Sequence, residues 1–247
     1  MYGGRARSAV HLDEFYFRLA TIAQPSLFVE VGAYKAEASL RMKGSLPDCR
    51  VVAFEANPHN HRHLAPSIES ANPGIEYLHY AVADGPNELT FNLRREVDGA
   101  QMREITGNSS LLRRTAEDTT YQQIRVPATT LDDFFGSYTG GPACTWIDVE
   151  GASGAVLSGG SQFLSACKVV KIEVEETPMW RGQWLSLDVI EHFLAAGFQP
   201  MARDIEFENQ FNLVFVENEF ARDPRVLIAA ELHGNYMSHH MTADTQA

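Results

Sequence analysis

Carboxylates recur at one kind of position in this sequence: the point where a short apolar run stops. Glu30 and Gly32 follow "LFV", Glu55 follows "RVVAF", Asp84 follows "YAVA", Asp148 and Glu150 close "ACTWIDVEG", and Glu173 and Glu175 lie in "KVVKIEVEE". Runs that are apolar on both faces are strands of a sheet covered on both sides. An unpaired carboxylate inside such a strand costs several kcal/mol. One acid ending a strand is unremarkable, but five strand ends that each carry one describe a shared edge with chemistry on it. In an open α/β sheet, ligands bind outside the carboxyl ends of the strands, near the switch point between strands one and four.

The residue types suggest roles. Gly32 lets the backbone turn and approach a ligand without a Cβ clash. Glu55, about twenty residues on, is placed to accept both hydroxyls of a ribose. Asp84 is placed to accept an adenine amino group, or else is a surface turn before Gly85-Pro86. Ala33, Tyr34, Ala56, Asn57 and Ala83 flank these residues and belong to the same expected pocket. Such roles suit any adenosine-containing cofactor. The dinucleotide fingerprint, however, wants G-x-G-x-x-G/A so that a pyrophosphate can sit on a helix N-terminus. Here the run is Gly32-Ala33-Tyr34-Lys35-Ala36. A sulfonium cofactor has no pyrophosphate, and its positive charge suits acids such as Glu30 and Asp148. This favours S-adenosyl-L-methionine over NAD.

Asn108-Ser109-Ser110 either closes over the bound molecules or caps a helix. Trp180 and Trp184 either wall an acceptor pocket or pack an edge. Asp148 is the candidate base, with Glu150 and Glu173 beside it, although Glu150 could equally cap the following helix. Asp148, Glu173 and Glu175 also offer the hard oxygens that Mg²⁺ prefers, so a metal-assisted route stays open next to a metal-free one. His192, His233, His239 and His240 read as ordinary core or surface histidines.

The elements needed to position these residues alternate along the chain. A helix is expected over Leu12 to Ala23, with Asp13 and Glu14 in its first turn. Strand "LFVEV", a helix from about Ala36, strand "RVVAFEANP", a helix over His59 to Ala71 and strand "IEYLHYAVAD" follow. "NELTFNLR" reads as an extra strand, antiparallel to strand three. "EVDGAQMREITGNSSLLRRTAEDTT" reads as a mobile loop or lid. "QIRVPATTLDDFF" reads as a strand and a short helix opened by Thr130, with Asp133 completing a capping box. "ACTWIDVEG", helix "SGAVLSGGSQFL", "KVVKIEVEE" and helix "SLDVIEHFLAAGF" come next, and "FQPMARDIEF" with "QFNLVFVEN" forms a hairpin. The expected fold is α/β: a doubly wound, mostly parallel sheet ending in an antiparallel hairpin, with helices on both faces. The expected organisation of residues 1–247 is one domain: a helical extension over 1–25, a core over 27–217 and a docked or frayed tail over 220–247.

Composition narrows the function classes. The chain has 247 residues and a net charge of −12, which weighs against phosphate backbones and anionic membranes as partners. No apolar stretch reaches the roughly 18 residues that span a bilayer, and no signal peptide is expected at the N-terminus. Cys49, Cys144 and Cys167 are scattered singly, which fits reduced thiols and a cytoplasmic setting.

Seven stretches occur in one order: "VEVGAYKAEASL", "VVAFEANP", "AVAD", "GNSSL", "VPATTLDDF", "WIDVEGASGAVLSGG" and "KIEVE". Together they resemble the FkbM family of S-adenosylmethionine-dependent methyltransferases, within the Rossmann-like class I fold, over roughly Leu27 to Glu217. The resemblance implies methyl transfer to an acceptor, with S-adenosyl-L-homocysteine as by-product. The expected acceptor is a hydroxyl on a small molecule such as a sugar or secondary metabolite; an NAD(P)-binding oxidoreductase or a non-catalytic domain of the same fold are the alternatives. Ala36 stands where the family has a third glycine, Ala56 where it has proline, Trp146 where it has lysine and Ser153 where it has glutamate. The resemblance does not reach the acceptor's identity or the oligomeric state.

Overall fold

The computed structural model describes residues 4–85 and 87–243. In chain order the elements are α1 (Gly4–Ala23), β1 (Leu27–Val31), α2 (Glu37–Ser45), β2 (Arg50–Phe54), α3 (Pro58–Ala71), β3 (Ile75–Leu78), β4 (Ala81–Val82), β5 (Asn87–Val97), β6 (Ala100–Gln101), β7 (Thr119–Thr129), α4 (Leu131–Phe135), β8 (Ala143–Ile147), α5 (Ser153–Ser158), α6 (Ser161–Leu164), β9 (Cys167–Glu175), α7 (Ser186–Ala195), β10 (Phe198–Arg203), β11 (Gln210–Glu217) and α8 (Pro224–Ala243).

The main sheet has the order β10-β11-β9-β8-β1-β2-β3. β3, β2, β1, β8 and β9 run parallel, and β11 and β10 are antiparallel additions beyond β9. Chain direction across the sheet reverses at β1, which lies between β2 and β8, so the switch point falls where the acids were expected.

Side chains alternate between the faces of a strand, and each face feeds its own core. Phe28, Val51, Ala53, Cys144, Val169 and Val214 pack with α1, α2 and α3; Leu27, Val29, Val31, Val52, Phe54, Ile147 and Ile172 pack with α4, α5, α6 and α7. The doubly wound sheet with helices on both faces is therefore as expected. Local signals set the helix starts. Pro58 occupies the first turn of α3 and the Asn57 side chain accepts from the His59 amide at 2.9 Å; Thr130 Oγ1 accepts from the Asp133 amide at 2.8 Å to open α4.

Four readings change. The first helix begins at Gly4, so Asp13 and Glu14 lie in its interior rather than in its first turn. "IEYLHYAVAD" is two strands: after a turn at His79 and Tyr80, β4 leaves β3 and joins a second sheet of order β4-β7-β5-β6. "NELTFNLR" pairs with β7 rather than with strand three. The expected lid is partly strand, because β5 runs on to Val97 and β6 follows. Its remainder, residues 102–118, is a strap joined to the body by bridges Asn92 to Ser110 and Arg114 to Trp180. The tail beyond Phe220 is docked, one of the two expected alternatives: the helix α8 lies on α1, with Phe15 stacked on His233 at 4.5 Å. The side chains of His239 and His240, and residues 244–247, fall outside the described residues.

Candidate active site

The strand registers arrange the acids in rows. Across the sheet Ala53, Glu30, Trp146, Lys171 and Val214 are in register. With a period of two, Gly32, Asp148 and Glu173 form the next row on that face, one step nearer the carboxyl edge. This face looks towards α1 and α2. The two rows put Glu30, Asp148 and Glu173 together, with the Trp146 indole between Glu30 and Lys171.

Two clefts open at this edge, and Gly32, Tyr34 and Asp148 line both. The first is narrow, about 50 Å³, between Glu55, Ala56 and Asn57 at the end of β2, Tyr80 to Val82, Phe91, the strap residues Thr106, Gly107, Ser109 and Ser110, and Asp148 to Glu150. The second, about 490 Å³ and open to solvent, is walled by Asp13 and Phe17 of α1, Glu30, Ala33, Lys35, Arg41 and Trp146.

Glu55 organises the first cleft. Its Oε2 accepts from the Tyr34 amide at 2.7 Å, and its Oε1 accepts from the Asn57 amide at 2.7 Å and from Asn60 Nδ2 at 3.3 Å. Burial pushes the carboxyl up to about 7 against the pull of those donors. A carboxylate oxygen has two lone pairs, so Oε2 keeps one free for a ligand hydroxyl. The turn it supports is strained: Gly32, Tyr34 and Ala36 all have positive φ, at 82°, 43° and 55°. Tyr77 Oη donates to the Tyr34 carbonyl at 2.6 Å, so the turn is held from both sides.

Glu30 floors the second cleft and accepts from both the amide, at 2.8 Å, and the hydroxyl of Ser39. Burial again pushes its carboxyl up to about 7. Asp148 is raised by burial, while the Lys171 ammonium pulls it back. Burial and then the Asp148 charge drive Glu173 well above the usual carboxylate range. Of this close pair Glu173 is pushed up the further, and Asp148 is the member that the Lys171 ammonium and a hydrogen bond from Glu173 pull back towards the carboxylate. Glu150, with φ 53°, is pushed up to about 8 by burial and by Asp148, against Arg94; Glu175 is pushed up to about 7, chiefly by burial.

Other expected site residues lie elsewhere. Ala83 and Asp84 do not line the Glu55 cleft. A Cβ on Gly159 would stand 2.1 Å from the Ala83 carbonyl, and this close packing leaves Asp84 exposed on a neighbouring groove; Ala81 and Val82 take the expected place. Asn108 is exposed, and its carbonyl accepts from Arg94 at 3.3 Å. Trp180 is buried rather than lining either cleft, with its indole seated on Gly151; Trp184 sits on Gly154 and walls the groove that holds Asp84. Glu175 is bound by Gln183 Nε2 at 3.0 Å.

The acids do not fit Mg²⁺. Among the described residues no group of three or more His, Cys, Asp or Glu side chains is arranged to hold a metal ion, and the Lys171 ammonium already provides positive charge beside Asp148. No helix among them is long and apolar enough to cross a membrane. Sequence reasoning missed Asp13, Phe17, Asn60, Tyr77, Phe91, Arg94 and Lys171. Only Lys171 had a visible signal, a lone cation in an apolar run.

Comparison with known proteins follows the same lines. No curated protein matches the sequence. Among solved structures, the magnesium protoporphyrin IX methyltransferase ChlM of Synechocystis PCC 6803 with bound SAM is 9% identical with TM-score 0.46, the match covering 85% of this chain and 79% of that one. The precorrin-6y C5,15-methyltransferase of Geobacter metallireducens GS-15 is 10% identical with TM-score 0.43, covering 81% and 86%. At such values they carry no argument about the reaction. The sequence itself matches the model of the Methyltransferase FkbM domain over residues 30–200. That span takes in the end of β1 and all of β2 and β8, whose ends line the clefts, and the chain belongs to the FkbM methyltransferase family.

Proposed function

We propose that the chain transfers a methyl group from S-adenosyl-L-methionine to a hydroxyl on a small molecule, a sugar or secondary metabolite, in the cytoplasm. The observation that carries this reading is the meeting of two chemically different clefts at Gly32, Tyr34 and Asp148. A nucleoside suits the first: Glu55 has a lone pair for a ribose hydroxyl, and Tyr80, Val82 and Phe91 offer apolar surface to a base. A zwitterionic amino-acid tail suits the second, where Glu30 and Asp13 face an ammonium and Lys35 and Arg41 a carboxylate. The donor set therefore fits S-adenosylmethionine.

When bound, the cofactor supplies a methyl already activated by sulfonium charge. The chain's own part is then to position an acceptor and manage its proton. Asp148, at the junction and beside the Lys171 ammonium, orients the acceptor hydroxyl and takes its proton. The strap, held through Ser110 Oγ to the Glu150 carbonyl at 2.7 Å, covers the first cleft and limits water there. A hydroxyl acceptor is favoured because a carboxylate at the junction can take the proton that a hydroxyl loses on methylation. A small molecule is favoured over nucleic acid by the net charge of −12.

The test is transfer of tritiated methyl from S-adenosylmethionine into fractionated cell extract. Label in base-stable ethers of the small-molecule fraction is expected. Label in ribonuclease-sensitive polymer, or in amines, would contradict the acceptor class.

A further inference from the structure

Lys171 is a lysine in the middle of a central strand, only 5% exposed. Lysine is almost never buried unless paired, and a buried charge costs several kcal/mol unless its partners repay it. Its partners are specific. Nζ lies 2.9 Å from Asp13 Oδ1 on α1 and 3.5 Å from the centroid of the Trp146 ring. It also acts on Asp148 as the largest influence opposing burial. Asp13 in turn lines the second cleft with Asp148, so one ammonium joins a wall of that cleft to its junction residue.

The surroundings are otherwise acidic. Glu30 comes from β1, Asp148 and Glu150 from the end of β8, and Glu173 and Glu175 from β9. Asp204 and Glu206, between β10 and β11, also face Asp13 and Lys171. Arg41 of α2 acts on Asp13 from the other side, pairs with Glu14 at 2.7 Å and lies over the Phe17 ring at 4.1 Å; Lys35 and Glu37 line the outer wall. Arg94 and Arg114 act on Glu150 and Glu175, not on Asp148.

We propose that Lys171 is the positioning residue of this cleft: its buried ammonium ties α1 to the sheet through Asp13 and sets a positive charge beside Asp148 at the junction. The importance of that charge rests on the role given to Asp148 above. Trp146 shields the ammonium from Glu30 in the same row and stacks on it, an arrangement that strengthens cation–π attraction away from water. α1 then becomes a wall of the site rather than an accessory helix.

The test reads Asp148 directly, without an acceptor. In protein labelled with ¹³C at the aspartate carboxyls, the Asp148 resonance, assigned by its loss in Asp148→Asn, is followed against pH. Lys171→Met should move its midpoint up by about one pH unit or more. Lys171→Arg should hold it near the wild-type value. Asp13→Asn removes a neighbouring negative charge and should move it down. Amide exchange over α1 should quicken in Lys171→Met and Asp13→Asn. An unmoved midpoint in Lys171→Met, or a shift in Lys171→Arg as large as in Lys171→Met, overturns the proposal. If Lys171→Met does not fold, Lys171→Gln decides, and an unmoved midpoint there overturns it. Full methyl transfer by Asp148→Asn would remove the catalytic role of Asp148 and leave the ionisation result standing, so the two failures are distinct.

Discussion

The Cα of Gly32 lies against the main-chain carbonyl of Asp148: a Cβ built on Gly32 would stand 1.7 Å from that oxygen. The contact locks the ends of β1 and β8 together, and the Asp148 amide completes it by donating to the Val31 carbonyl at 2.9 Å. The glycine at the end of β1 is thus fixed by backbone packing as well as by its φ of 82°. Gly32→Ala should cost about 2–4 kcal/mol, from strain at positive φ plus a clash with backbone that cannot rotate away. Thermal unfolding checks this, and a variant within about 1 °C of the wild type would contradict it.

Ala36 has φ 55° and ψ 36°, left-handed values that a Cβ disfavours. Here the chain departs from the family's glycine and bears the strain. Ala36→Gly should relieve it and stabilise the protein by about 0.5–1 kcal/mol after the loss to the more flexible unfolded chain. Denaturant unfolding should show a higher midpoint with unchanged slope; a lower midpoint would mean that the strain is offset by contacts of the Ala36 methyl.

Four buried acids give the ligand-free protein a defined pH dependence. Glu30, Glu55 and Glu175 are raised by burial from 4.5 to about 7, and Glu150 to about 8. Between those limits the folded state binds more protons than the unfolded chain, so stability falls as pH rises. Their contribution is fully present below pH 4.5 and is lost as pH rises through 7 to 8. The melting temperature should therefore drop from pH 5 to pH 8, and Glu30→Gln should flatten that slope. A melting temperature that climbs over this range would contradict these ionisations.

Much of this was legible in the sequence because the central strands are written as apolar runs. "LFVEV", "RVVAF", "ACTWI" and "KVVKIEV" pair in the expected parallel order, and Glu30, Glu55 and Asp148 arrive at one edge. What failed depends on tertiary packing. Nothing local says that Ala81 leaves β3 for β7, or that Gly159 packs on Ala83 and leaves Asp84 exposed. Trp180 and Trp184 looked like pocket walls, but Gly151 and Gly154 provide the space that seats them. Lys171 was visible as a lone charge, yet its meaning required the register that sets it beside Trp146 and the helix that brings Asp13.

Asp148→Asn keeps the shape of the junction and removes its charge. With an acceptor identified by methyl labelling, turnover should fall about 10²–10⁴-fold, while S-adenosyl-L-homocysteine affinity stays within about three-fold, a difference under 1 kcal/mol. Because the acids do not fit a divalent ion, EDTA should leave wild-type turnover unchanged. Wild-type turnover in Asp148→Asn would move the base to Glu150 or Glu173.

The central claim is that this edge holds S-adenosylmethionine, with Glu55 at the ribose. Calorimetric titration of S-adenosyl-L-homocysteine into the wild type and into Glu55→Ala tests it most directly. The expected result is one ligand per chain and a ten- to hundred-fold weaker Kd in a folded variant, corresponding to the loss of about 1.5–3 kcal/mol of charge-assisted hydrogen bonding. Unchanged affinity in Glu55→Ala, or binding of NAD in place of S-adenosyl-L-homocysteine, would contradict it.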